Sequence, residues 1–547
     1  MLAKITLKPI RNIRPVLLLI FLIHFLSPSF AQVALAPIFG SNMVLQRGAI
    51  VPVFGSAPVG TNVTVQFLGQ SVSAVADATG KWRVNLASMT ANATPNTLTV
   101  TSANSSSNIT GVQVGEVWFC SGQSNMGLQL SGANNSAADI SSAGTRNIRL
   151  FRMIAGSGPS GSTWQISNSS TVGNFSAVGY WMGLEFSKWF GNVPIGLVQA
   201  THDGTSIDHW QHSSGGIGDD YDAMVKSIQP FAVKGVAWYQ GESNGGDVDY
   251  KNKLTNMIRE WRTDWGLSSL PFGIIQLAYR SGWNTARNAQ LEVSDTEPQC
   301  FLVVIRDLPG GALHPTEKKA VGVRTAIGAR GLVYGDNIVY SGPVRDVANS
   351  FVTGNKVVLK WKFLGTGLFT NDGAAPGGFS LATSTGQFKA ATAVIVGNTV
   401  EVSSSVVNPT RVQYAYSSIG NLYNRVSVPT EEGAVIVDRL KASEFQINVA
   451  SAAPLARLSL ETGKANRGNA IFPQPAVNGN FTIRLSELPI ESQVNVTITD
   501  ELGKVVYQAN KKTAGTIEVS SQLNAGVYFV RLVTPRKVLI NEMIIVQ

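Results

Sequence analysis

The chain has 547 residues, 44% hydrophobic and only 14% charged, with 54 glycines and a formal net charge of +9. That length corresponds to about three to five domains, and the composition argues against a disordered chain. The basic residues form no stripe with interleaved aromatics, which argues against nucleic acid as a partner.

The chain opens with Lys4, Lys8, Arg11 and Arg14, followed by the apolar run "PVLLLIFLIHFL" and by "SPSFA", with Ser29 and Ala31 at the small-residue positions. This pattern predicts a secretory signal peptide over residues 1–31, cleaved after Ala31. Its four basic residues account for part of the positive balance. No later run is long and apolar enough to span a bilayer, so the mature chain is expected to carry no membrane span. A secreted chain of this length with two cysteines, Cys120 and Cys300, does not rest on a disulfide framework. Both lie on strand-like apolar runs and read as buried free thiols, with a bond between them as the alternative.

Residues 32–112 read as an N-terminal β domain: "VTVQFLG" and "SVSAV" alternate, and "DATGKWRVNL" sets a glycine turn between strands. Over 113–335 the pattern changes to apolar runs separated by helical segments. The runs are "EVWFC", "VPIGLVQA", "VKGVAWYQ", "LPFGIIQLA" and "CFLVVIRD". In "YKNKLTNMIREWRTDW", Leu254, Met257, Ile258 and Trp261 fall on one helical face, and "TEKKAVGVRTAIGAR" reads as a second helix. Continuous apolar strands alternating with helices predict an α/β domain whose parallel sheet is covered on both faces. Ligands bind beyond the carboxyl ends of such strands. Residues 336–450 return to β character as a C-terminal β domain. Residues 451–470 read as a linker, and 471–547 as a last small β unit with one buried face.

The chemistry is expected where the first apolar run of the α/β region breaks into "SGQSNM". A serine on a tight strand-to-helix turn has its Oγ exposed above the sheet, with its own N–H pointing toward an oxyanion position. Gly122 permits the turn. Ser124 is the candidate nucleophile, with a helix N-cap as the structural alternative. Such a serine needs a base. His314 follows the fifth run, at the same sheet edge, and is the candidate. His202, His209 and His212 cluster after the second run, but no cysteine or HExxH pattern joins them, and no metal site is expected. An oxyanion hole needs fixed donors. Gly204 offers an N–H after the second run, and Gln240 and Asn244 offer amides after the third.

With these blocks assembled, the chain resembles the sialate O-acetylesterase family of the SGNH-hydrolase superfamily. The blocks are "SGQSNM", "PIGLVQATHDGTSIDHW", "VKGVAWYQGESN", "LPFGIIQLA" and "ALHPTEKKAVGVR". "SNMVLQR", "VPVFGSA" and "DATGKW" resemble that family's N-terminal β domain, and "GPV", "GNTVEVSS" and "NLYN" its C-terminal β region. The resemblance extends over residues 33–435. It implies a flavodoxin-like parallel-sheet core flanked by β domains. It also implies Ser124 as nucleophile, His314 as base and Gly204 as an oxyanion donor, together with the Ser124 N–H. The third block normally supplies an amide, but its usual position here is Ser243, so Gln240 and Asn244 compete for that role. The superfamily often places an aspartate three residues before its histidine, and here that residue is Gly311. Asp307, Glu242 or a main-chain carbonyl near Ala312 is left to orient the imidazole. The implied substrate is an acetylated carbohydrate, with O-acetyl sialic acid foremost and acetylated xylan as the runner-up, and no cofactor is required. A non-catalytic glycan-binding surface protein is the rival class. The tail, "IFPQPAVNGNFTIRL" to "LNAGVYFVRLV", resembles the sorting domain of type IX secretion substrates. That implies a small terminal β-sandwich and export by the type IX machinery through periplasm and outer membrane.

Overall fold

One long strand, Ser105–Gly122 (β1), joins two sheets. Its first half pairs antiparallel with Asn92–Ser102, and its second half lies between parallel neighbours. The expected boundary between residues 112 and 113 therefore falls inside a continuous strand. The computed structural model describes residues 33–212, 217–429, 435–450 and, in the C-terminal unit, most of 470–546. The expected signal peptide and nearly all of the expected linker lie outside the described residues.

The central sheet contains β1, Ile148–Arg152 (β2), Trp164–Ile166 (β3), Ile195–Thr201 (β4), Gly235–Tyr239 (β5), Phe272–Ile275 (β6) and Cys300–Val303 (β7), in the order β3-β2-β4-β1-β5-β6-β7. All neighbours are parallel except the edge strand β3. The five expected strands are present, and β2 and β3 extend the sheet beyond them. The helices that frame the sheet and the site include Ser124–Gly127 (α1), Ala177–Trp189 (α2), Tyr250–Trp265 (α3), Asn284–Thr296 (α4) and Lys319–Leu332 (α5). Successive side chains on a strand point to opposite faces. On β1, Trp118 packs against Phe186 of α2, while Phe119 packs against Trp261 and Trp265 of α3. Both faces of the sheet are thus covered, which is why β1 and β4 read as continuous apolar runs. Leu254, Met257, Ile258 and Trp261 are all fully buried, as the spacing on α3 predicts. Cys120 and Cys300 are buried free thiols, and burial pushes both up to about 12.

The described part of residues 336–450 forms three sheets of four, three and four strands. A buried ion cluster ties this β region to the α/β region. Glu444 meets both Arg287 and Arg306, all three fully buried, and Arg306 also donates to Ala415 O and Ser418 O. The chain divides into two units, residues 1–454 and 455–547. The described residues of the second unit form seven strands around a core of their own that includes Phe481, Ile483, Val496, Ile498, Val519 and Leu532.

Candidate active site

The parallel register brings three loops to one edge. Gly122, the last residue of β1, pairs with Thr201 of β4 on one side and Tyr239 of β5 on the other. Gly122 takes φ +135°, and a Cβ there would lie 2.1 Å from Tyr239 O. Only glycine lets the chain turn out between its neighbours at this point. Ser124 then opens α1. Gln123, not Ser124, holds the N-cap position, and it makes no side-chain cap hydrogen bond. The capping alternative for Ser124 therefore fails. Its Oγ lies 2.8 Å from Nε2 of His314, on an exposed loop after β7. For Nε2 to accept the serine proton, the imidazole must carry its own proton on Nδ1.

Asp307 makes no hydrogen bond to His314. Its two oxygens accept from Arg324 of α5, at 2.6 Å from Nη1 and 2.7 Å from Nη2. A bidentate guanidinium is the stronger and better-matched partner. No hydrogen bond joins a main-chain carbonyl before His314 to its ring, and Leu313 O accepts from Asn125 Nδ2 at 3.0 Å. Among the described residues, no carboxylate or carbonyl accepts from His314 Nδ1. Glu242 bonds to the residue after Ser124: its Oε1 accepts from Asn125 Nδ2 at 2.5 Å. Burial raises the Glu242 carboxyl to about 7.

Gly204 lies three residues beyond Thr201, with φ +77° and open space where a Cβ would sit, so this position demands a conformation rather than room. Ser243 Oγ donates to Gly204 O at 3.0 Å, linking the loops after β4 and β5. Both competing amides already bond to neighbouring residues. Gln240 is fully buried, and its Nε2 donates to Asn244 Oδ1 at 2.8 Å while its Oε1 accepts from Tyr250 OH at 2.9 Å. Asn244 Nδ2 donates to Asp247 Oδ2 at 3.1 Å, and its Oδ1 also accepts from Ile207 N. A buried amide is held by whichever partners satisfy it, and here these are structural.

The three clustered histidines take separate partners: His202 with Asp220 (2.8 Å), His209 with Asp219 (2.6 Å) and His212 with Asp264 (2.6 Å). They do not converge on one point, although ligand atoms of His209, Asp219 and Asp220 lie within 4.8 Å of one another.

Two buried residues beside the dyad escape a reading of the sequence. Asn125 is 1% exposed and Lys318 is 1% exposed, and Lys318 Nζ donates to Asn125 Oδ1 at 2.6 Å. A signal was present in the helix rules. Lysines are disfavoured at a helix N-terminus, yet Lys318 and Lys319 stand at the start of α5. A broken local rule of this kind marks a site with another purpose.

Residues 114–326 match the family described as carbohydrate esterase, sialic acid-specific acetylesterase, and residues 470–547 match the secretion system C-terminal sorting domain. A carbohydrate acetylesterase from Xanthomonas citri is 32% identical, with a TM-score of 0.67 over 76% of this chain and 99% of that one. The sialate O-acetylesterases of human and mouse are 26% and 25% identical, over 56% and 55% of this chain and 73% and 74% of theirs. The sorting domain indicates secretion to the cell surface or beyond, and among the described residues no helix is long and apolar enough to cross a membrane. The chain belongs to the sialate O-acetylesterase family of carbohydrate esterases, and is a carboxylic ester hydrolase.

Proposed function

We propose that the protein is a secreted serine esterase that removes O-acetyl groups from a carbohydrate by a Ser124–His314 acyl-enzyme mechanism. The observation that carries this reading is the 2.8 Å contact between Ser124 Oγ and His314 Nε2 at the carboxyl edge of the sheet. Ser124 Oγ attacks the acetyl carbonyl while His314 Nε2 takes its proton. The Ser124 and Gly204 N–H groups receive the developing oxyanion. The intermediate collapses, the C–O bond to the sugar breaks, and His314 returns the proton to the leaving oxygen. Water then gives a proton to His314 and attacks the acetyl-enzyme. Acetate leaves as Ser124 recovers its proton.

On this reading the catalytic region spans residues 113–335, framed by the β regions at 32–112 and 336–450. A signal peptide over 1–31 and the tail over 471–547 direct export, the tail through the type IX machinery. O-Acetyl sialic acid is the foremost substrate, supported by the match over residues 114–326. The test is acetate release from a panel of acetylated sialic acids and acetylated plant glycans, with Ser124→Ala as control. Ser124→Ala that turns over substrate like the parent refutes the mechanism. Preference for the plant glycans reassigns the substrate and leaves the chemistry standing.

A further inference from the structure

His314 lacks the carboxylate that orients a triad imidazole, so something else must hold it against Ser124. The exposed loop that carries it, residues 309–314, has few anchors. Gly311 N donates to Tyr279 O at 2.9 Å, and Arg280 Nη1 donates to Gly311 O at 3.1 Å. Next to His314 itself, the anchor is Asn125, which donates to Leu313 O at 3.0 Å. Asn125 follows the nucleophile, and Leu313 precedes the base. One side-chain hydrogen bond therefore spans the dyad just behind the reacting atoms.

Asn125 is itself held from two sides. Its oxygen faces the Lys318 ammonium at 2.6 Å, and its nitrogen faces the Glu242 carboxylate at 2.5 Å. Lys318 also lies 5.0 Å above the Tyr239 ring. Asn125 and Lys318 are 1% exposed and Glu242 is 9% exposed, so water offers these groups little alternative. An amide between a cation and an anion has one favourable orientation. Turning it over would set oxygen against carboxylate and N–H against ammonium, and a buried charge left without its partner is costly. With one N–H on Glu242, the other is fixed on Leu313 O.

We propose that Glu242, Asn125 and Lys318 form a positioning relay that locks the His314 loop against Ser124, holding the base through its backbone where a triad acid would hold it through its ring. The proposal rests on the Ser124–His314 reading above. Asn125 touches no reacting atom and is a positioning residue, as are Glu242 and Lys318.

The test is steady-state kinetics paired with thermal unfolding of the full chain. Asn125→Ala is expected to lower kcat roughly 10²-fold, the scale of a 1 Å misplacement, with KM little changed. Lys318→Met leaves Glu242 buried beside no cation and should lower both Tm and kcat. The double variant Glu242→Gln/Lys318→Met removes both charges. Its Tm should recover toward that of the parent while kcat stays low, because the amide is no longer locked. Recovery of kcat together with Tm would show packing alone and overturn the proposal. So would parent-like kcat in Asn125→Ala. An inactive Ser124→Ala beside parent-like relay variants would sink the relay and spare the esterase reading, whereas a fully active Ser124→Ala would sink both.

Discussion

Two loops at the carboxyl edge of the sheet carry histidines, and they hold them in opposite ways. In the loop after β4 and the residues that follow it, His202, His209 and His212 each face an aspartate, at 2.8, 2.6 and 2.6 Å. In the loop after β7, His314 faces a serine at 2.8 Å and, among the described residues, no carboxylate. The histidine–aspartate pairs look like catalytic fragments, but among the described residues no serine or threonine hydroxyl bonds to any of the three imidazoles. They staple the chain around Asp219, Asp220 and Asp264. On the proposed mechanism, a carboxylate partner does not by itself mark a catalytic imidazole. An ester has a better leaving group than an amide, so a base without its acid can suffice.

The largest expected effect separates the two loops. Ser124→Ala and His314→Ala should each lower kcat by about 10⁴ or more, leaving what binding and the oxyanion hole supply. His202→Ala and His209→Ala should stay close to the parent, since they touch neither member of the dyad. Turnover of p-nitrophenyl acetate ranks the four variants, and a collapse in His202→Ala would move the base to the other loop.

The comparison sharpens with pH. Lys318 is held down to about 8, chiefly by burial, with the Glu242 charge opposing that shift. Glu242 is raised to about 7, also chiefly by burial. Lys318 is cationic below its value and Glu242 anionic above its own, so both charges of the relay coexist only between about 7 and 8. Besides Glu242, the groups against Lys318 are the Asn125 carbonyl and the Tyr239 ring, while its neighbour Lys319 is paired with Asp139. The kcat profile should therefore fall above about pH 8, where a lone histidine base would hold a plateau. Glu242→Gln removes the charge that supports the ammonium, so it should shift the alkaline limb to lower pH. A limb that does not move in Glu242→Gln would detach it from Lys318.

A smaller effect is expected at Asp307. Converting a triad aspartate to asparagine costs about 10⁴ in kcat in a serine protease. Asp307 is occupied by Arg324 in a bidentate pair, so Asp307→Asn should cost less than about tenfold in kcat and be felt chiefly as a lowered Tm. A loss near 10⁴ with the fold intact would restore Asp307 as the acid.

How legible all this was in the sequence depended on whether local pattern or tertiary partner decided each residue. The helix Tyr250–Trp265 was plain because one face is apolar. Helix α2 was not, because Ala177–Ser187 is buried without a break and so shows no amphipathic period. The short strands β2 and β3, toward one side of the sheet, carry too few residues to alternate visibly. Ser124, Gly204 and His314 could be placed because each follows a strand of a parallel sheet, and parallel strands end together. Asp307, Gln240 and Asn244 have the right chemistry at the right edge, but their hydrogen bonds to Arg324, Tyr250 and Asp247 could not be read there. Those partners are fixed by side-chain reach, which spacing does not encode. Lys318 was passed over because a lysine in "TEKK" reads as surface, and only its position at a helix start argues otherwise.

The smallest expected effect concerns the tail. Its described strands enclose Phe481, Ile483, Val496, Ile498, Val519 and Leu532 in a core separate from the one that includes Trp118, Phe119 and Trp261. Every side chain assigned to the dyad, the oxyanion hole or the relay belongs to residues 1–454. A domain with its own core folds as its own unit. A chain ending at Pro454 should therefore keep the parent kcat, KM and pH profile in vitro. In its native host the same chain should accumulate inside the outer membrane, because the sorting signal is gone. Cell fractionation and acetate release from the two forms measure both halves of this claim. Loss of turnover on truncation, with Tm falling alongside it, would make the tail part of the catalytic fold instead of an address.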